Sequence, residues 1–206
     1  MVLVLNVALV AGLVAVGVTA HSLAVLAAGS DYLLDAAGVG VALLALRLSA
    51  RPASRARPGG YPNATSIASL VNASWLLVLE LLVAAAAIDR LVTGTPEVRG
   101  LPVLAVSGVA ALVMTAGALV LRGDADDDGT QERDLSVAAV LLDTAADAAA
   151  AAGVAAAGAI ILVTGGWYWL DPAVALAIAI VVAYHATALI REVLGQLRSA
   201  AHTSLG

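Results

Sequence analysis

The 206-residue sequence contains no cysteine, and all ten of its basic residues are arginines. Without thiols it can build neither disulfides, nor iron–sulfur clusters, nor soft thiolate metal sites. Charge is scarce too: 12% of the residues are charged and 62% hydrophobic, where a soluble domain carries about 25% and about 45–50%. With a mean hydropathy of +0.99, this composition excludes a soluble globular fold. The formal net charge of −5 argues against a nucleic-acid partner.

What is present instead is a succession of six apolar stretches, at 2–18, 23–46, 66–91, 101–121, 135–163 and 170–190. Each has about the 20 residues needed to cross a hydrocarbon core of about 30 Å. The expected fold is all-α: a polytopic membrane protein with six transmembrane helices over 1–192 and a short cytoplasmic tail, 193–206. No positive segment precedes the first stretch, so it is read as an uncleaved helix rather than a signal peptide. If both termini are cytoplasmic, Arg47, Arg51, Arg55, Arg57, Arg122, Arg133, Arg191 and Arg198 lie inside and only Arg90 and Arg99 outside. That is the positive-inside asymmetry, and it sets the expected topology in a plasma or inner membrane. At the outer start of the last span, Trp167, Tyr168 and Trp169 suit the headgroup layer. Asp171 and Pro172 follow as the expected N-cap and first-turn residue of the sixth helix. The segment from Arg47 to Pro62 reads as a cytoplasmic linker with turns, and the tail after Ile190 as about one amphipathic turn with no room for a further domain.

Away from the ends of these spans lie five acids: Asp31, Asp35, Glu80, Asp143 and Asp147. At mid-bilayer each costs at least about 2.5–3.5 kcal/mol on insertion scales, so they imply a compensating role. Asp31 and Asp35, like Asp143 and Asp147, are spaced i, i+4, which puts both carboxylates of a pair on one helix face. At 1.5 Å per residue, the first pair lies about 12 and 18 Å from the outer end of its helix, and the second the same distances from the inner end of its own. Each pair could therefore form half of one cation cage near the midplane. The segments Asp31-Tyr-Leu-Leu-Asp35-Ala-Ala and Asp143-Thr-Ala-Ala-Asp147-Ala-Ala also echo one another, as in an inverted repeat with its site between the halves. The near-continuous alanines from Ala145 to Ala152, with Gly153, allow a neighbouring helix to approach closely. The alternative is that the aspartates are protonated and serve as interhelical hydrogen-bonding glue.

Glu80 has two readings, as a relay or interface residue and as a buried structural acid. His21 and His185 are read as interfacial or packing residues rather than ligands. The run Asp124-Ala-Asp126-Asp127-Asp128-Gly129 begins like a calcium-binding loop, but its twelfth position is Leu135, where the bidentate Glu belongs. It is read as a solvated acidic loop between Arg122 and Asp134.

Taken in order, His21-Ser-Leu-Ala-Val-Leu-Ala, Asp31-x-x-x-Asp35, Arg57-Pro-Gly-Gly-Tyr61, Ser69-Leu-Val-Asn72-Ala, Asp143-x-x-x-Asp147 and Gly166-Trp-Tyr-Trp-Leu-Asp-Pro172 leading to Leu189-Ile-Arg-Glu192 resemble the cation diffusion facilitator family of divalent-metal/proton antiporters. The resemblance covers nearly the whole chain. It implies six helices, a metal site formed by the second and fifth, and a homodimer in the bilayer. Three departures stand out. Where the family's commonest zinc pattern has His as first ligand, this sequence has Asp31 and Asp143, an all-oxygen set suited to Mn²⁺ as well as Zn²⁺, Cd²⁺ or Fe²⁺. The family's His-Pro-x-Gly segment reads Arg57-Pro58-Gly59-Gly60, which argues against a loop metal site. The family's C-terminal metal-sensing domain is not expected here.

The metal would be transported substrate, with no cofactor and no enzymatic activity. Four ionised aspartates would leave an empty cage at −4 in low dielectric, so protons must occupy it and leave when metal enters. Two competitors remain. A phosphatidyltransferase of the CDP-alcohol type also uses Asp-x-x-x-Asp, but it needs an upstream Asp-Gly-x-x-Ala-Arg that neither pair has. A purely structural membrane protein would show no flux.

Overall fold

The computed structural model describes residues 2–50, 64–127 and 131–203. They form six helices: α1 (Val2–Thr19), α2 (Leu23–Ser49), α3 (Ala64–Thr93), α4 (Gly100–Asp127), α5 (Gln131–Thr164) and α6 (Leu170–Thr203). Among the described residues, five helices are long and apolar enough to cross a membrane, and α1 contributes a shorter apolar stretch, Ala8–Thr19. Large apolar side chains face outward, with Val92 81%, Val163 85% and Leu112 72% exposed. A water-soluble protein does not display such a surface; a bilayer covers it.

Three short connections, after α1, α3 and α5, gather on one side of the bundle. Gly94 and Gly165, both at positive φ, close α3 and α5 by returning their N–H groups to Arg90 O and Ile161 O at 3.1 and 3.0 Å, the usual work of a glycine after a helix. After α1 the left-handed residue is His21 (φ 58°). Its N–H and that of Ser22 donate back to Val18 O and Gly17 O, a Schellman closure on a non-glycine residue. Ser22 then caps α2, its Oγ accepting from Val25 N at 3.1 Å.

The sequence placed Asp171 at the N-cap of α6. It is instead the second residue of that helix, and its carboxylate caps α2: Leu23 N donates to Oδ2 at 2.6 Å and Ala24 N to Oδ1 at 3.3 Å, while Ser22 Oγ also donates to Oδ1. Arg90 of α3 stands 3.7 Å from Oδ2 and donates to His21 O at 2.8 Å. Arg99, just before α4, donates its N–H to Ala20 O at 3.2 Å. An anion on the positive end of α2, with an arginine behind it, ties α2, α3 and α6 together on the short-turn side.

Away from that knot, α4 packs most extensively on α5 and α3 on α6, while α2 lies against α1, α3 and α6. The α4–α5 crossing is backbone to backbone. A Cβ at Gly100 would fall 2.6 Å from Gly158 O, and one at Gly158 2.8 Å from Leu104 N. By contrast α2 and α5 touch little, and a space remains between them.

Two further expectations are corrected. The acidic segment is mostly helix: α4 continues to Asp127 and α5 begins at Gln131. Asp124, Asp126 and Asp127 therefore belong to a helix that runs on past its apolar stretch, and no calcium-type loop forms from them. Likewise α6 extends from Ile190 to Thr203 rather than for a single turn. The arginine-rich linker with Arg51, Arg55 and Arg57, including Arg57-Pro-Gly-Gly-Tyr61, lies outside the described residues.

Candidate metal centre

Asp31 and Asp35 sit one turn apart on α2, and Asp147 faces them from α5. All three line one cavity of about 570 Å³ between α2, α5 and α6. The cavity exists because α5 offers only small side chains there, Ala146, Ala149, Ala150 and Gly153, while Val174, Ile178 and Val181 of α6 form an apolar far wall. Apolar walls leave the carboxylates as the main polar features, so the field of the site is theirs.

Asp31 is 8% exposed; its charged neighbours are Glu80, close enough for the two carboxyls to share a hydrogen bond, Asp35 and Asp147. Asp143 belongs to α5 one turn before Asp147; its side chain lies outside the described residues. Among the described residues no three His, Asp or Glu side chains converge closely enough to hold an ion. The acids share a cavity rather than a closed coordination sphere.

Two residues that the sequence reading did not assign to this site line it or brace it. Tyr32, between the two α2 aspartates, donates from its hydroxyl to Asp147 O at 3.3 Å, one of few ties between α2 and α5. Its place on the helix, adjacent to Asp31, was the available signal. His185, read as a packing residue, lines the cavity wall on α6, with its ring 5.8 Å from that of Tyr184. An exposed imidazole on this wall can meet an entering cation. Glu80 of α3 is fully buried beside Asp31. His21 serves the turn, through its backbone.

A bundle of apolar helices with an acid-lined cavity between its second and fifth members defines a multi-pass membrane protein. The chain belongs to the cation efflux, or cation diffusion facilitator, family: residues 1–197 match the model of the cation efflux transmembrane domain. It is 30% identical over 190 residues to the zinc transporter ZitB of Escherichia coli, covering 92% of this chain and 58% of that protein. It is 29% identical over 183 residues to the human proton-coupled zinc antiporter SLC30A2, covering 86% and 49%. A cadmium, cobalt and zinc/H(+)-K(+) antiporter of Bacillus velezensis is 28% identical over 176 residues, covering 83% and 54%. The chain thus spans about half the length of the curated relatives it matches.

Proposed function

We propose that this protein moves divalent metal ions of the Zn²⁺ type out of the cytoplasm in exchange for protons, with Asp31, Asp35, Asp143 and Asp147 as the ion's ligands. The observation that carries the reading is the common cavity of Asp31, Asp35 and Asp147 between α2 and α5, in a chain whose relatives are named as zinc, cadmium and cobalt transporters. Ion and protons compete for the same carboxylates. A cavity holding several ionised acids and no cation is too costly in a low dielectric, so protons neutralise them until metal arrives. Arg47, Arg122, Arg191 and Arg198, at the side away from the short turns, support the reading that this side faces the cytoplasm of a plasma or inner membrane, and a homodimer is the expected assembly. The bonds of Asp171, Arg90 and Arg99 close the opposite side, which supports a state that loads from the cytoplasm. Release then requires the helices to rock about the site.

An oxygen-only ligand set supports a broad range, with Mn²⁺ and Fe²⁺ joining Zn²⁺ and Cd²⁺. Uptake of each ion into proteoliposomes under an imposed pH gradient tests this. Zn²⁺ and Mn²⁺ should both move, and Asp143→His should shift preference toward Zn²⁺. A strictly zinc-selective wild type that the substitution leaves unchanged would contradict the ligand argument.

A further inference from the structure

One face of α6 lines the cavity through Val174, Ala177, Ile178, Val181, Val182 and His185. Their spacing is the stripe that a helix presents to one side, and every member but the last is apolar. At 1.5 Å per residue His185 stands about 22 Å from the outer end of α6, between Asp35 at about 18 Å from that of α2 and Asp147 at about 25 Å from that of α5. The imidazole therefore meets the carboxylates at their own level, from a third helix. Its side chain is exposed, the ring of Tyr184 lies 5.8 Å away, and among the described residues no hydrogen bond or ion pair engages it. A valine here would continue the wall, whereas a polar ring inside an apolar span is costly and points to a functional partner. Unengaged by protein, this ring is left to bind what enters the cavity.

We propose that His185 is a specificity-determining ligand of the transported ion, its imidazole nitrogen joining the carboxylates of Asp31, Asp35 and Asp147 from α6. This rests on the reading of those aspartates as ligands and extends it to a third helix. Carboxylate oxygens suit Mn²⁺, while an imidazole nitrogen favours ions of the Zn²⁺ and Co²⁺ type. Mn²⁺ still enters on the aspartates, and Zn²⁺ and Co²⁺ gain a donor that Mn²⁺ uses poorly. A neutral imidazole also adds a ligand without adding negative charge, so it tightens the hold on the ion and leaves the empty cavity no more costly. Among the described residues these groups share a cavity and do not yet converge on one point, so the imidazole joins the ion as α2, α5 and α6 close around it.

The test uses the full chain in detergent and compares wild type, His185→Val, His185→Asp and Asp147→Asn. Calorimetric titration gives the affinities for Zn²⁺, Co²⁺ and Mn²⁺, the visible spectrum at saturating Co²⁺ reports the ligand set, and thermal melting reports the fold. His185→Val should bind Zn²⁺ and Co²⁺ about tenfold more weakly and Mn²⁺ within about twofold of wild type, with an altered Co²⁺ spectrum and an unchanged melting temperature. His185→Asp should recover affinity for Mn²⁺ more than for Zn²⁺. Wild-type affinities and spectrum in His185→Val would overturn the proposal and leave the imidazole as a packing residue. Equal weakening of all three ions with an unchanged spectrum would overturn it in favour of an effect on cavity shape, and tighter binding of all three in favour of a counter-charge to the aspartates. Asp147→Asn separates the two readings: if it abolishes binding while His185→Val is silent, only the role of His185 fails; if it binds like wild type, the aspartate site fails and the role of His185 with it.

Discussion

Asp171 shows how much one side chain can carry at the edge of a membrane bundle. It accepts from two N–H groups and a hydroxyl of another helix and has Arg90 behind it. Asp171→Ala should therefore destabilise the protein by about 3–5 kcal/mol, the range for breaking a buried charged group's partnership. Thermal melting of the purified variant checks this, with Asp171→Asn expected to lose less because it keeps one acceptor. At the site, Tyr32→Phe removes the hydroxyl that reaches Asp147 O. A net loss of about 0.5–1.5 kcal/mol is expected in melting, with reduced metal flux but not its abolition. These residues differ in how readily the sequence discloses them. Aspartates in an apolar run stand out by their cost, and their i, i+4 spacing fixes a shared face. The cap made by Asp171 joins residues 148 and 149 positions apart, and local spacing rules assign it to its own helix instead. Glu80 was visible as an anomaly, but its proximity to Asp31 depends on the α2–α3 crossing.

At the scale of helices, the α4–α5 pair depends on the absence of side chains at Gly100 and Gly158, where added atoms would strike backbone. Gly158→Val should separate the two helices and sharply lower both the melting temperature and the yield of monodisperse protein. Gly153 has no atom within 4 Å of an added Cβ, so Gly153→Ala should be tolerated by the fold, and melting the two variants side by side checks the contrast. Helix starts were legible within a few residues because hydropathy changes abruptly where the membrane ends. The extensions of α4 to Asp127 and of α6 to Thr203 were not. Once past the lipid, a helix no longer needs apolar residues to continue, and in α6 alanine, arginine, glutamate and glutamine sustain it in water. The small residues from Ala145 to Gly153 were expected to let a helix approach, but the close approach falls further along α5, at Gly158 against α4. At Ala146, Ala149 and Ala150 the same smallness leaves the cavity open instead.

For the whole molecule, the arrangement is a bundle tied at the short-turn side by charged and backbone bonds, with a cavity deeper in where α2 and α5 hardly touch. Closing that gap is the motion that would turn a shared cavity into a coordination sphere, and it must bring Asp147 toward Asp31 and Asp35. On the proposed reading metal and protons compete for the same oxygens, so apparent metal affinity should fall as pH is lowered. Asp147→Asn, which removes a ligand charge and a proton acceptor at nearly constant size, should abolish flux. The most direct measurement of this coupling is proton release on metal binding, followed with a pH dye as Zn²⁺ is titrated into the purified protein between about pH 5.5 and 8. At least one proton should leave per Zn²⁺ bound, and both binding and release should vanish in Asp147→Asn. Zn²⁺ binding of constant affinity across that range, with no proton released, would contradict the exchange mechanism.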